Sequence, residues 1–122
     1  MQINIKTSEK NQEVVRKLTS KLPLGTKENV IARIALGYSL QTGKKFPPTD
    51  FNIYDSKGKE YKDHILFDVK YRDFYVAMIA QHYGIYKTDD NIPKYIKLHI
   101  DHGLELMDNI FPEINYRVYR PL

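Results

Sequence analysis

The stretch Val30 to Gln41, VIARIALGYSLQ, constrains this chain more than any other. Thr26 can cap a helix there, with Lys27, Glu28 and Asn29 as its first turn and Gly43 beyond its end. Asn29 stands where a capping box would place a carboxyl group, so that box is incomplete. On a helical wheel Val30, Ile31, Ile34, Ala35 and Tyr38 fill one broad face, while Leu36 and Leu40 point nearly the other way. A helix with so little polar perimeter is buried on more than one side. Either the helices that follow cover its second side or another subunit does.

The residues before it supply two further elements. Gln2 to Lys6 alternate strictly, Ile3 and Ile5 being apolar, as in a short half-buried strand. Thr7 or Ser8 can then cap a helix with Glu9 in its first turn, whose apolar positions Val14, Val15, Leu18 and Leu22 keep helical spacing up to Pro23 and Gly25. One strand is not stable alone. It pairs either with the same strand of a second copy, as in a ribbon-helix-helix module, or within its own chain, for instance with an extended piece near Phe51 to Tyr54. In the first arrangement Gln2, Asn4 and Lys6 project outward, where a ribbon can enter a major groove. The start of the second helix, Lys27 to Asn29, would then offer its free N–H groups to a phosphate.

Residues 44–67 read as a loop, with turn signals at Pro47-Pro48, Asp50 and Asp55 to Gly58. A third helix is predicted from Val69 to Tyr83, with Tyr71, Phe74, Tyr75, Met78 and Ile79 on one arc and Gly84 after its end. A fourth starts near Asn91 and Pro93 and runs to Pro112, aligning Ile96, Ile100, Leu104, Met107 and Phe111. The expectation is one mainly α domain over residues 1–122: a ribbon-helix-helix-like strand-helix-helix module in 1–45, then a loop and C-terminal helices in 46–122.

Charge is distributed unevenly. The chain carries a formal +4, but its first 45 residues hold nine cations against three anions, so the remainder sums to minus two. Lys10, Lys17 and Lys21 form one stripe beside the apolar arc of the first helix. Such a surface suits phosphates, and it equally suits a solvated face whose lysine stems cover the core edge.

Several chemistries are set aside. The chain has no cysteine, which excludes disulfides, thiolate metal sites and cysteine nucleophiles. It has no GxxxxGK[ST] phosphate loop and no HExxH motif. His99 and His102 read as a packed histidine beside an exposed one rather than as metal ligands, and Asp89, Asp90, Asp101, Glu105 and Asp108 as helix-start and solvent-face charges. Tyr116 and Tyr119, interleaved with Arg117 and Arg120, could stack on bases or simply dock the tail. No catalytic residue, metal or cofactor is expected. With no apolar run for a signal peptide or a membrane span, a cytoplasmic protein without membrane contact is the expectation.

The segments GTKENVIARIALGYSLQTGKK, DSKGKEY and HIDHGLELM together resemble the DndE family, the small subunit of bacterial DNA phosphorothioation systems. The similarity spans about Lys10 to Phe111, with ENVIARIAL its most specific part. This resemblance implies a fold related to ribbon-helix-helix proteins, assembly into a homo-oligomer (a dimer or tetramer), and binding of double-stranded DNA, nicked duplex included. It also implies partner subunits of the phosphorothioation complex that supply the desulfurase, sulfur-transfer and ATPase chemistry. The family's basic surface maps onto Lys6, Lys10, Lys17, Lys21 and Lys27, to which the helix-start reading adds Asn29. A ribbon-helix-helix transcriptional regulator is the alternative function.

Overall fold

The computed structural model describes residues 1–22 and 26–119, with side chains described through residue 110. In chain order the elements are β1 (Ile5–Lys6), α1 (Glu9–Lys21), α2 (Glu28–Gln41), a 3-10 turn (Pro48–Asp50), β2 (Glu60–Tyr61), α3 (Asp63–Leu66), α4 (Asp68–Tyr83) and α5 (Ile92–Tyr119). The mainly helical reading with a short N-terminal strand holds.

The alternation of residues 2–6 survives in the burial pattern: Ile3 and Ile5 are buried while Gln2, Asn4 and Lys6 are exposed. Strand β1 finds its partner within the chain, pairing antiparallel with β2 in the register Ile5 to Tyr61 and Lys6 to Glu60. A ribbon shared between two copies is therefore not what satisfies it. Nor is the partner near Phe51 to Tyr54, which forms turns rather than an extended piece, Ile53 N–H donating to Asp50 C=O at 3.1 Å. Beside the pair, the Gly58 N–H donates to Thr7 C=O at 2.8 Å, and a Cβ at Gly58 would lie 2.4 Å from Ser8 O. That approach explains the glycine in DSKGKEY.

Helix α1 starts as expected, Ser8 capping it by accepting the Asn11 N–H at 3.1 Å. Val14, Val15 and Leu18 are buried; Pro23 and Gly25 lie outside the described residues. Helix α2 starts one residue later than expected, with Lys27 rather than Thr26 at the N-cap position and no side-chain cap bond.

Helix α5 is the spine. Its Ile96, Ile100, Leu104 and Met107 are buried as the spacing predicts, and its backbone stays helical past Pro112 to Tyr119. The aligned Phe111 falls outside the described side chains. Helices α1, α2 and α4 pack around α5. At the α2–α5 crossing Gly103 meets Ala35 so closely that a Cβ there would lie 1.9 Å from Ala35 O. Helix α5 thus covers one side of α2, burying Ile31, Ala32, Ala35, Leu36, Ser39 and Leu40. The other side remains open, with Ile34 48% exposed.

Residues 44–67 hold more order than a loop, namely the 3-10 turn, β2 and the four-residue α3. Helix α4 matches its expected range and ends at Gly84. Its expected apolar arc is split, however. Val76, Ile79 and Ala80 face the core, whereas Phe74 is 60% exposed and Tyr71 is exposed as well. No described helix is long and apolar enough to cross a membrane.

Candidate nucleic-acid interface

Pairing of β1 with β2 decides which charges meet. Lys6 points outward opposite Glu60, and on its side of the ribbon the head of α5 and the turns of residues 48–56 enclose an open cleft of about 580 Å³. Lys6, Lys94 and Lys97 line it together with Asn4, Asn52 and Ser56. The Lys94 ammonium sits 5.2 Å from the ring centre of Phe51, whose ring in turn meets Tyr95 edge-on. Lys97 is held more firmly, its Nζ donating to Asp55 C=O at 2.8 Å and to the Asp101 carboxylate.

Asp101 is fully buried, against the expectation of a solvent-face charge. Its carboxylate accepts the Ser8 N–H at 3.0 Å and the Asn11 side-chain amide at 2.7 Å. The Lys97–Asp101 pair therefore ties the start of α1 to α5, and its geometry is that of a structural clamp. Asp55, at the surface, has its carboxyl held below the usual range by the N–H groups of Glu9 and Lys57.

On the far edge of the ribbon Lys59 pairs with Glu28 at 2.6 Å, and the Tyr61 hydroxyl donates to the same carboxylate at 3.4 Å. Burial, reinforced by that carboxylate, pushes the Tyr61 phenol up. This joins the ribbon to the start of α2, where Lys27 is exposed. The Asn29 side-chain amide donates to Ile65 C=O at 3.0 Å at the surface, so it fastens α3 to α2. Arg33 does the same one turn on, donating to Leu66 C=O at 2.7 Å and lying over the Tyr71 ring.

The stripe on α1 does not act as one charge. Lys10 is exposed, Lys21 is half-buried, and Lys17 forms an ion pair with Asp108 of α5. The fold thus brings Lys6 together with Lys94 and Lys97, and sets Lys59 on Glu28 next to Lys27 in the chain, while leaving Lys10, Lys17 and Lys21 on α1. Lys94 and Lys97 were not among the residues expected from sequence. Their only sequence signal was the pair of lysines in NIPKYIK at a helix start, and nothing local says that β1, about ninety residues earlier, lies beside them.

Behind this surface lies a second polar cluster. His99, fully buried, bonds through Nδ1 to Ser39 Oγ at 2.7 Å and through Nε2 to the Tyr83 hydroxyl at 2.6 Å. His102, half-buried rather than exposed, shares the same Ser39 hydroxyl at 2.7 Å. The Tyr83 oxygen also accepts the Phe46 N–H, which leaves its O–H to donate to Nε2. A neutral His99 with its proton on Nδ1 satisfies every partner: Tyr83 to His99, His99 to Ser39, Ser39 to His102. Burial, with His82 and His102 nearby, holds the His99 pKa down to about 3, and burial raises that of Tyr83 to about 12. Among the described residues no group of histidines and carboxylates has the arrangement to hold a metal ion. Tyr116, Arg117, Tyr119 and Arg120 fall outside the described side chains.

Comparison with known proteins places this architecture. Among curated protein sequences no relative matches. Among solved structures the chain is similar to the crystal structure of DndE from Escherichia coli B7A, described as involved in DNA phosphorothioation modification. The two share a TM-score of 0.62 at 14% identity, over 85% of this chain and 95% of that one. At that identity the likeness shows the fold. The family described as DNA sulphur modification protein DndE matches residues 4–113, a span that includes the ribbon, the α2–α5 crossing and both close-packed glycines. The chain therefore belongs to the DndE family of DNA sulphur modification proteins.

Proposed function

We propose that this chain is a DNA-binding accessory subunit of a phosphorothioation complex, holding duplex DNA by its backbone and leaving the sulfur chemistry to partner subunits. The observation that carries this reading is that the expected Lys6, Lys10 and Lys27, with Lys94 beside Lys6, are among the exposed cations that form no ion pair among the described residues. Ammonium groups of this kind contact phosphates without reading sequence. In this reading Lys17 and Lys21 contribute less, Lys17 because Asp108 answers its charge and Lys21 because it is half-buried. Asn29 acts through its helix start rather than through its amide.

The reading includes self-association. Ile34 on α2 and Phe74 and Val69 on α4 are large apolar side chains 48%, 60% and 85% exposed. A second copy laid over them would cover the side of α2 that α5 leaves open. Aspartate at Ile34 and Phe74 together is expected to reduce the mass measured by light scattering to that of one chain; an unchanged mass places the interface elsewhere.

Fluorescence anisotropy with a random duplex and with the palindromic DNA upstream of the operon, each over a range of salt, tests the function. Equal and salt-steep affinities are expected. A strong preference for one sequence favours a transcriptional regulator instead, and the absence of salt-dependent binding refutes DNA holding.

A further inference from the structure

We propose that the cleft between β1, the turns of residues 48–56 and the head of α5 is a binding site for a single nucleotide, its phosphate on Lys6 and Lys94 and its base against Phe51. This goes beyond the holding of duplex DNA, because a duplex lies across a surface whereas this cleft admits one unit.

Size is the first argument. At about 580 Å³ the cleft falls within the range of roughly 300–1,000 Å³ typical of small-ligand pockets. An inorganic phosphate would leave most of it empty. The second argument is the division of its lining. Pro48, Phe51 and Pro93 supply apolar surface, and Lys6 and Lys94 line the same cleft. A purely apolar ligand would desolvate those ammonium groups for nothing, and a bare anion would leave the apolar surface unused. A phosphate attached to a flat, weakly polar ring satisfies both.

Charge accounting narrows the roles. The carboxylate lining the cleft is Glu60, across the ribbon from Lys6. Lys97 adds little net charge, since Asp101 balances it, but its bonds to Asp55 C=O and Asp101 fix its position at the floor. Lys94, by contrast, lies over the Phe51 ring and forms no ion pair among the described residues, so its ammonium remains available to an anion. Asn52 and Ser56, both exposed, place donors and acceptors where a base edge or sugar hydroxyl would lie.

The site can be tested by amide chemical shifts in the intact, isotope-labelled protein, with deoxyadenosine 5′-monophosphate, inorganic phosphate, deoxyadenosine and a short single-stranded oligonucleotide as probes. Saturable shifts at Asn52, Ser56, Lys94 and Lys97 with the monophosphate are expected, each fragment binding more weakly than the whole. Phe51→Leu keeps every charge and is expected to weaken the monophosphate by about tenfold, the scale of one lost base–aromatic contact, while leaving duplex affinity unchanged. Should that variant misfold, Asn52→Ala at an exposed side chain with no part in duplex holding replaces it, with a loss of up to about fivefold. Competition by the oligonucleotide would identify the ligand as one residue of a strand, and its absence as a free nucleotide. No saturable shift with the monophosphate, equal shifts with phosphate alone, or shifts centred on α1 would each overturn the proposal. Loss of duplex binding with the monophosphate site intact would refute duplex holding and leave this site standing.

Discussion

Acid should destabilise this fold earlier than its carboxylates alone would. His99 is enclosed by Ser39, Tyr83, Phe46 and His82, and its pKa falls from the ordinary 6.5 to about 3. In the unfolded chain the same imidazole titrates near its ordinary value. Between those two values the unfolded state binds a proton that the folded state refuses, so stability is full above pH 6.5 and declines as pH falls toward 3. The slope approaches about 1.4 kcal/mol per pH unit, so between pH 7 and pH 4.5 His99 alone costs on the order of 2–3 kcal/mol. His102, lowered in the same direction chiefly by burial, adds to it. Urea unfolding at half-unit intervals between pH 7 and 4.5 measures the slope, and comparison with a His99 variant removes the part due to carboxylates, which begin to titrate toward the acid end. The His99→Gln variant, less stable at neutral pH, should lose most of that dependence. An imidazole resonance of His99 that titrates near pH 6.5 in the folded protein, or equal slopes for variant and wild type, would refute the argument.

Three further outcomes follow from the packing and the charges. Gly103→Ala should cost at least about 3 kcal/mol, because the added carbon meets the Ala35 backbone rather than a movable side chain; a melting temperature within two or three degrees of wild type would contradict the α2–α5 crossing. Asp101→Asn leaves the Lys97 ammonium buried without its counter-charge and should cost about 3 kcal/mol in chemical denaturation, whereas Lys97→Met together with Asp101→Leu should recover part of that loss. In the proposed DNA-holding role, Lys6→Gln and Lys27→Gln should each lower the slope of log affinity against log salt by about 1, and Lys17→Gln by much less, since Asp108 already pairs it. Equal effects at all three positions would mean that the ion pair opens on DNA.

What could be read from the sequence was what is decided locally. Ser8 caps α1 because its hydroxyl needs only a neighbour three residues on, and the arc from Ile96 to Met107 faces the core because one helix face repeats. The rest depended on contacts distant in sequence. Strand β2 is two residues long among charged neighbours, with too short an alternation to register, and α3 is a single turn, below the length at which a helix forms without tertiary support. On α4 periodicity grouped Tyr71, Phe74 and Met78 with Ile79 but could not say which part of that arc faces α5. Asp101 looked like a surface acid because its partners Ser8 and Asn11 lie about ninety residues away.

The same distance alters the meaning of the basic first third. Of its nine cations, Arg16 is paired with Glu13, Lys17 with Asp108, and Arg33 is built into the α3 carbonyls. The fold then adds Lys94, from the acidic remainder, to the face that Lys6 occupies. The surface left for phosphates is therefore smaller than the sequence count and drawn from both ends of the chain. If Lys6, Lys10, Lys27 and Lys94 are the ammonium groups that meet phosphates, the salt slope is about −3.6 per chain, at roughly −0.9 for each phosphate neutralised. Such a slope marks weak holding by one copy. Self-association over the open side of α2 and the binding of DNA are for that reason coupled parts of one proposal: joining copies sums their phosphate contacts without adding a single lysine to the chain.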